Sequence, residues 1–396
     1  MILRRTVFFL GMSQLVCWGT AYYLIGGFGQ VIGDDLGWGR DVVYGGFSLA
    51  LLVMGFASPL AGRLIDRHGG RKVMATGSVL IALGCAGIAL SHGVVLYYAS
   101  WICLGLAMRL TLYDAAFATL ARIGGPSARK PMAQVTLFGG LASTVFWPFG
   151  HMLTELFGWR AALFVYAGVA LLTLPLHLAI PLGRYGDAAP AATPAPPLPV
   201  ERPPLAVSPH DRFAAGALYA LIAAAVNFLN SGMSAHMINI LAGLGLAAGA
   251  AVWISTLRGI AQSAARLGEV LFGARLDAFH LNVLATGLLP FAFLAGTAGG
   301  VFVPAALAFA FVYGAGNGLT TITRGTLPLA LFDRATYGLV VGRLLMPSFI
   351  VSAAAPLVYA GVIERFGSQA ALVLSAAVAL LALAAAIVLH LRFRHR

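Results

Sequence analysis

The sequence predicts an all-α membrane protein of twelve transmembrane helices arranged as two pseudo-symmetric six-helix bundles. Three observations lead there. The 396 residues are 60% hydrophobic and only 10% charged, whereas soluble chains run nearer a quarter charged. Apolar stretches recur along the whole chain at the length of about 20 residues that a bilayer core demands. The two halves also repeat short motifs at a nearly constant offset.

The first stretch begins in MILRRTVFFLGMSQ and has no small-residue cleavage site behind a short apolar core. It therefore reads as a retained helix, not a removed signal. Further stretches open near residues 43, 73, 94, 132 and 160, then near 213, 248, 280, 301, 336 and 369. Between the two sets lies GRYGDAAPAATPAPPLPVERPPLAVSPHDR, whose Pro/Ala content gives an extended linker. The expected organisation is a bundle over residues 1–182, a linker over 183–212 and a second bundle over 213–396.

Orientation follows from Lys and Arg. Seventeen of them, among them Arg4, Arg5, Arg63, Arg67, Arg71 and Lys72, fall on one set of turns; only Arg40, Arg160 and Arg365 fall on the other. The positive-inside rule then places both termini and the linker in the cytoplasm, with the chain a multi-pass protein of the cell membrane. The same turns account for the net charge of +12, so no nucleic-acid partner is expected. Cys17, Cys85 and Cys103 sit inside apolar runs, which reads as buried free thiols and excludes a disulfide-stapled fold. The sequence has no HExxH, GxxxxGK or GxSxG, and neither an enzyme nor a cofactor or metal is expected.

The repeat is specific. Phe157-Gly158-Trp159-Arg160-Ala161-Ala162-Leu163 matches Phe366-Gly367-Ser368-Gln369-Ala370-Ala371-Leu372, and Gly62-Arg63-Leu64-Ile65-Asp66 matches Gly273-Ala274-Arg275-Leu276-Asp277. Pro148 and Pro356 fall near the same offset. Duplicated six-helix units are the build of many secondary transporters, which hold substrate between the repeats near the midplane.

The turn after the second span reads Gly62-Arg63-Leu64-Ile65-Asp66-Arg67-His68-Gly69-Gly70-Arg71-Lys72. It resembles the signature loop of the major facilitator superfamily, G-x-L-x-D-R-x-G-x-[RK]. A tight turn between helices needs Gly69 and Gly70, and Asp66, Arg67 and Arg71 supply charges that can lock a cytoplasmic gate. Gly70 stands where the commonest form has Arg, and Gly-Gly-Arg is similar to the G-P-R of monocarboxylate porters and oxalate/formate antiporters. Arg258, Gln262, Arg266 and Glu269 add to that resemblance, since their spacing puts them on one face of the eighth span. Monocarboxylate porters carry an Asp and, four residues later, an Arg in this span, for the proton and the substrate anion. Here Gln262 replaces the Asp and Arg266 keeps the Arg. The first span lacks the Lys of the animal porters. In the fifth span, Gly139 to Gly150 has Pro148 but not the G-P-x-x-G-G of drug/proton antiporters.

Ionisable residues at membrane depth are costly and mark pathways. Arg109 and Asp114 lie on the fourth span, Arg258, Arg266 and Glu269 on the eighth, Arg324 on the tenth and Arg343 near the inner surface. Arg109 and Asp114 are five apart and on a continuous helix share no face. Adding the repeat offset of about 210 to Asp114 reaches Arg324, which suggests facing charges across the pathway. Glu269 can instead pair with Arg266 at i, i+3. Asn227, Asn230, Ser231 and Ser234 form a polar stripe on the seventh span, and Gln14, Trp18 and Tyr22 one on the first. The resemblance implies that spans 1, 4, 7 and 10 line a central cavity, with Tyr113 and Arg324 as aromatic and cationic walls; interhelical hydrogen bonding is the competing role.

Together these residues point to a secondary active transporter that moves a small organic anion, a carboxylate, by alternating access. The expected substrate-binding set is Arg266, Gln262, Arg258, Arg324, Arg109, Tyr113, Asn227, Asn230 and Tyr22. Proton symport, with Asp114 or Glu269 titrating, is implied by the resemblance. Efflux of toxic or amphipathic compounds is the alternative, with Cys17 and Cys103 as thiols for soft arsenicals in one version.

Overall fold

A computed structural model describes residues 2–124, 128–183, 205, 206, 208–272, 277–300, 302–332 and 337–393 of the chain. Within these, the side chains of Asp66, Arg129, Lys130, Val270, Phe272, Leu329 and residues 337–342 stay outside the description. Most of the expected linker, and residues 273–276 of the second repeat match, also lie outside the described residues.

Every regular element among the described residues is a helix. The order is α1 (Arg4–Cys17), a π-turn (Trp18–Tyr22), α2 (Leu24–Leu36), α3 (Arg40–Phe56), α4 (Ser58–His68), α5 (Gly70–Leu90), α6 (Val94–Thr111) and α7 (Tyr113–Gly124). Then come α8 (Arg129–Gly140), α9 (Ala142–Phe157), α10 (Trp159–Leu171), α11 (Thr173–Leu178), α12 (Pro209–Gly243), α13 (Ala248–Phe272), α14 (Ala278–Thr297), α15 (Val303–Leu331) and α16 (Tyr337–Phe393). Among the described residues, eight helices are long and apolar enough to cross a bilayer, or nine when α3 and α4, bent by 50°, count as one span. The lipid-facing surface is apolar, with Val95, Phe213, Trp253 and Phe291 exposed. No water exists there to compete for such side chains, and the helical backbone satisfies its own hydrogen bonds.

Local chemistry sets the breaks. Ser208 caps α12 by accepting from the Asp211 N–H at 3.0 Å, with Pro209 in the first turn. Asp277 caps α14 by accepting from the N–H groups of Phe279 and His280, each at 2.9 Å. Three glycines carry chain reversals in backbone that side chains avoid: Gly69 (φ 79°, ψ 159°), Gly158 (φ 80°, ψ 159°) and Gly367 (φ 83°, ψ 173°). Gly158 and Gly367 are the matched glycines of the sequence repeat, so the repeated motif encodes a repeated break. Pro148 and Pro356 likewise both sit inside helices, α9 and α16.

Two breaks shift side chains away from their helical expectation. The π-turn bonds the Tyr23 N–H to the Trp18 carbonyl at 2.9 Å and inserts an extra residue into the phase of the first span. Leu112 is extended (φ −74°, ψ −173°), so the fourth span is two helices, α6 and α7, and not one. Elsewhere a small residue brings helices together. A Cβ on Gly259 would lie 2.2 Å from the Thr144 hydroxyl, and Thr144 donates to the Thr256 carbonyl at 2.8 Å. This closeness seats α13 against α8 and α9.

Two glycines of the signature turn should therefore respond differently to alanine. Gly69 holds a backbone region open only to glycine, whereas Gly62 is helical with nothing near its missing Cβ. Gly69→Ala should cost ~1–3 kcal/mol and lower the apparent melting temperature in detergent; Gly62→Ala should not. Equal melting temperatures for the two variants would contradict this assignment.

Candidate functional site

Helix α13 supplies the centre of the site. Arg258, Gln262 and Arg266, one turn apart along α13, are all buried, at 0%, 5% and 2% exposure. A guanidinium in that position needs acceptors for its five N–H donors. Arg266 finds neutral ones on helices from both halves of the chain. Its Nη1 donates to the Thr136 carbonyl at 2.6 Å and the Tyr113 hydroxyl at 3.2 Å. Nη2 donates to the Thr321 hydroxyl at 3.1 Å, and Nε to the Gly318 carbonyl at 3.5 Å. The i, i+3 pairing with Glu269 is not formed: among the described residues no carboxylate lies within ion-pair distance of Arg266. The Arg266 side chain turns inward to α7, α8 and α15, and Glu269 remains half-buried away from it.

A small cavity of about 50 Å³ opens beside Arg266. Its walls are Trp18, Tyr23, Tyr113, Gly139, Val226, Asn227, Asn230, Gln262, Asn317, Thr320, Thr321 and Arg324. The expected binding residues Arg266, Gln262, Arg324, Tyr113, Asn227 and Asn230 thus meet in one place. Arg324 donates to the Asn227 side chain at 3.3 Å, and Asn227 donates to Ser348 at 3.0 Å. Asn230 is a hub. Its oxygen accepts from Arg258 at 2.6 Å and from Asn317 at 3.0 Å, and its amide donates to the Tyr22 hydroxyl at 3.2 Å. The polar stripe of α12 therefore both lines the cavity and ties helices together.

Other expected residues sit elsewhere. Tyr22 touches Asn230 but is not in the cavity wall; Tyr23 is, because the π-turn rotates the first span by one residue. Arg109 also stays out of the wall and instead forms a short ion pair with Asp114. A continuous helix would set the two on different faces, and the extended Leu112 between α6 and α7 brings them together. Asp114 is half-exposed, at 47%, and the Arg324 charge also acts on it. Asn317, Thr320 and Thr321 are wall residues outside the expected set. Their signal was there, since Asn317, Thr320, Thr321 and Arg324 repeat the i, i+3, i+4, i+7 spacing of the seventh span.

In the signature turn, Arg71 donates through Nε to the Ile180 carbonyl at 2.6 Å, which fixes the turn to the end of α11. Arg67 is exposed, and the Asp66 side chain lies outside the described residues. None of the three thiols lines the cavity. Cys17 faces Thr173, Cys85 the Thr20 carbonyl and Cys103 the Leu80 carbonyl. Among the described residues no three His, Cys, Asp or Glu side chains gather to hold a metal. A separate vestibule of about 710 Å³ is lined by Gln30, Asp34, Trp38, Arg40, Tyr44, Asn239, Glu364 and Ser368. Asn239 donates to the Tyr44 hydroxyl at 2.6 Å in its wall.

Comparison with known proteins bears on the family and the fold. The sequence profile of the Major Facilitator Superfamily matches residues 10–220. The chain is 34% identical over 155 residues to monocarboxylate transporter 11 of Homo sapiens, covering 38% of this chain and 32% of that protein. The Mus musculus counterpart matches equally, over 34% of its length. The chain thus aligns with about a third of these relatives. The crystal structure of an aspartate-to-alanine mutant of the nucleoside transporter NupG superposes with a TM-score of 0.75 at 14% identity. That superposition covers 97% of this chain and 98% of the other.

The hub makes a stability prediction. Asn230→Ala strands one Arg258 donor and the Asn317 amide in a buried setting, at ~1–3 kcal/mol for each unsatisfied group. Its apparent melting temperature in detergent should fall clearly below that of Asn239→Ala, whose partner lies at the vestibule. A wild-type melting temperature for Asn230→Ala would remove the hub role.

Proposed function

This chain belongs to the Major Facilitator Superfamily and is a membrane transporter, and from that premise we propose that it moves a small organic anion, a carboxylate, by alternating access. One observation carries the proposal. Arg266 and Arg324 line one cavity, and Arg266 has no carboxylate partner among the described residues. A buried cation left without counter-charge is costly, and a carboxylate satisfies a guanidinium with two parallel charge-assisted bonds. The local similarity to monocarboxylate transporter 11 supports the same substrate class.

The finer architecture in this reading is twelve spans in two six-helix bundles joined by a cytoplasmic linker, with both termini on the cytoplasmic side of the cell membrane. Three features support the count beyond the most apolar helices. α8 and α9 run on through a bend at Leu141, α13 is 25 residues long, and α16 divides at Gly367. Polar and charged residues lower the apolar content of α13, as a helix that faces a pathway requires.

Proton symport completes the proposal, with Asp114 as the titrating group. Its half-exposed carboxylate pairs with Arg109, and the Arg324 charge acts on it from beyond ion-pair distance. Protonation would release those cations to a substrate anion, which couples the two ligands. Glu269 has no contact with the cavity and ranks behind it.

Purified protein in proteoliposomes, offered a panel of labelled carboxylates with and without a pH gradient, tests the substrate class. At least one small carboxylate should accumulate, and Arg266→Lys, which keeps the charge but loses the fork, should bind it about tenfold or more weakly, about 1.4 kcal/mol. Unchanged affinity in Arg266→Lys would count against recognition by this arginine and favour a neutral substrate. Asp114→Asn should abolish pH-driven accumulation and spare counterflow exchange, which needs no net proton movement. Wild-type levels of both activities would place the coupling elsewhere.

A further inference from the structure

Arg258 is the unusual side chain of the molecule. Its guanidinium is fully buried, and among the described residues only Nη2 is bonded, to the Asn230 oxygen at 2.6 Å and the Ser234 hydroxyl at 3.0 Å. Nε and Nη1 are buried without a partner, which leaves three of five N–H donors unaccepted. Among the described residues no carboxylate pairs with it. What surrounds it is aromatic: the rings of Tyr313, Tyr23 and Trp147 lie 5.1, 5.3 and 5.9 Å from the guanidinium carbon. Ring faces attract a cation but accept few hydrogen bonds, so they compensate its charge only in part and leave the donors aimed at nothing.

Position adds to chemistry. Arg258 precedes Arg266 by two helical turns on the same face of α13, about 12 Å along the axis. Its acceptor Asn230 and its neighbour Tyr23 are both walls of the central cavity. On its other side, Ser234 leads along α12 to Asn239, a wall of the large vestibule. The cation therefore stands between vestibule and cavity.

We propose that Arg258 is a second anion subsite, which takes the carboxylate of an acid with an apolar or aromatic body as it passes between the vestibule and Arg266. The free donors of Arg258 bind the carboxylate, and the three rings receive the body. This proposal rests on the reading that the central cavity accepts a carboxylate. It adds a separate station, occluded here, that opens when the helices around it part.

The test uses benzoate and acetate as probes of the purified full-length carrier in detergent, read as anion-dependent thermal stabilisation. Wild type should be stabilised by both, with benzoate the stronger. Arg258→Met replaces an uncompensated charge by an apolar chain of similar size, a change that tends to stabilise. The anion-free variant should melt at or above the wild-type temperature, while its half-maximal benzoate concentration rises tenfold or more. Should Arg258→Met fail to fold, Arg258→Lys, which keeps the charge and changes the donor geometry, should show the same rise. A wild-type benzoate response in whichever variant folds overturns the proposal, as does a wild-type carrier that neither probe stabilises. Arg266→Lys measured in parallel keeps the two readings apart: a lost response there beside a wild-type response in the Arg258 variant upholds the cavity and overturns the second subsite, whereas the reverse pattern overturns the cavity reading and with it the passage to Arg266.

Discussion

The buried guanidinium of Arg266 is the constraint to which the rest of the centre is fitted. It hangs from α13, yet two of its bonds run to Tyr113 and Thr136 and two to Gly318 and Thr321. It thereby joins helices from the first and second halves of the chain through a charge with only neutral acceptors. Neutral acceptors satisfy its donors but do not neutralise its charge, and in a low-dielectric interior that difference is large. The close seating of Gly259 on Thr144 and the tight packing around α8 and α9 hold the arginine in reach of both sides. A helix packed less closely would leave the guanidinium short of Thr136.

The distribution of charge around this point has a simple logic. Asp114 is already matched by Arg109, and among the described residues the cavity wall holds Arg266 and Arg324 and no carboxylate. Asn and Thr side chains from α12 and α15 orient those cations without cancelling them. A site built this way is costly when empty and stabilised by an anion. Binding energy of that kind, present in one state and absent in another, is what drives a conformational cycle.

Much of this was legible in the sequence, and the rest fails for identifiable reasons. Composition and the recurrence of apolar stretches gave a helical membrane protein because the bilayer admits few alternatives. Helical spacing set Gln262 with Arg266 and Asn227 with Asn230 on single faces, the repeat offset reached Arg324, and the resemblance pointed their helices to one cavity. Where a helix is not regular, spacing misleads. The π-turn at Trp18–Tyr22 puts Tyr23 in the wall in place of Tyr22, and the extended Leu112 joins Arg109 to Asp114 across what looked like opposite faces. The missing Arg266–Glu269 pair fails for another reason. Intrahelical proximity lost to acceptors on neighbouring helices, and no pattern within α13 reveals them. The aromatic surround of Arg258 is likewise drawn from three separate segments of the chain.

The central claim is that Arg266 exchanges its neutral partners for a substrate carboxylate. Charge displacement on a solid-supported membrane measures that event before turnover. Rapid addition of a transported carboxylate to reconstituted wild-type protein should give a saturable transient current, and Arg266→Gln, equally incorporated, should give none. A full transient from Arg266→Gln, or a transient evoked by a neutral solute and by no carboxylate, would contradict the account.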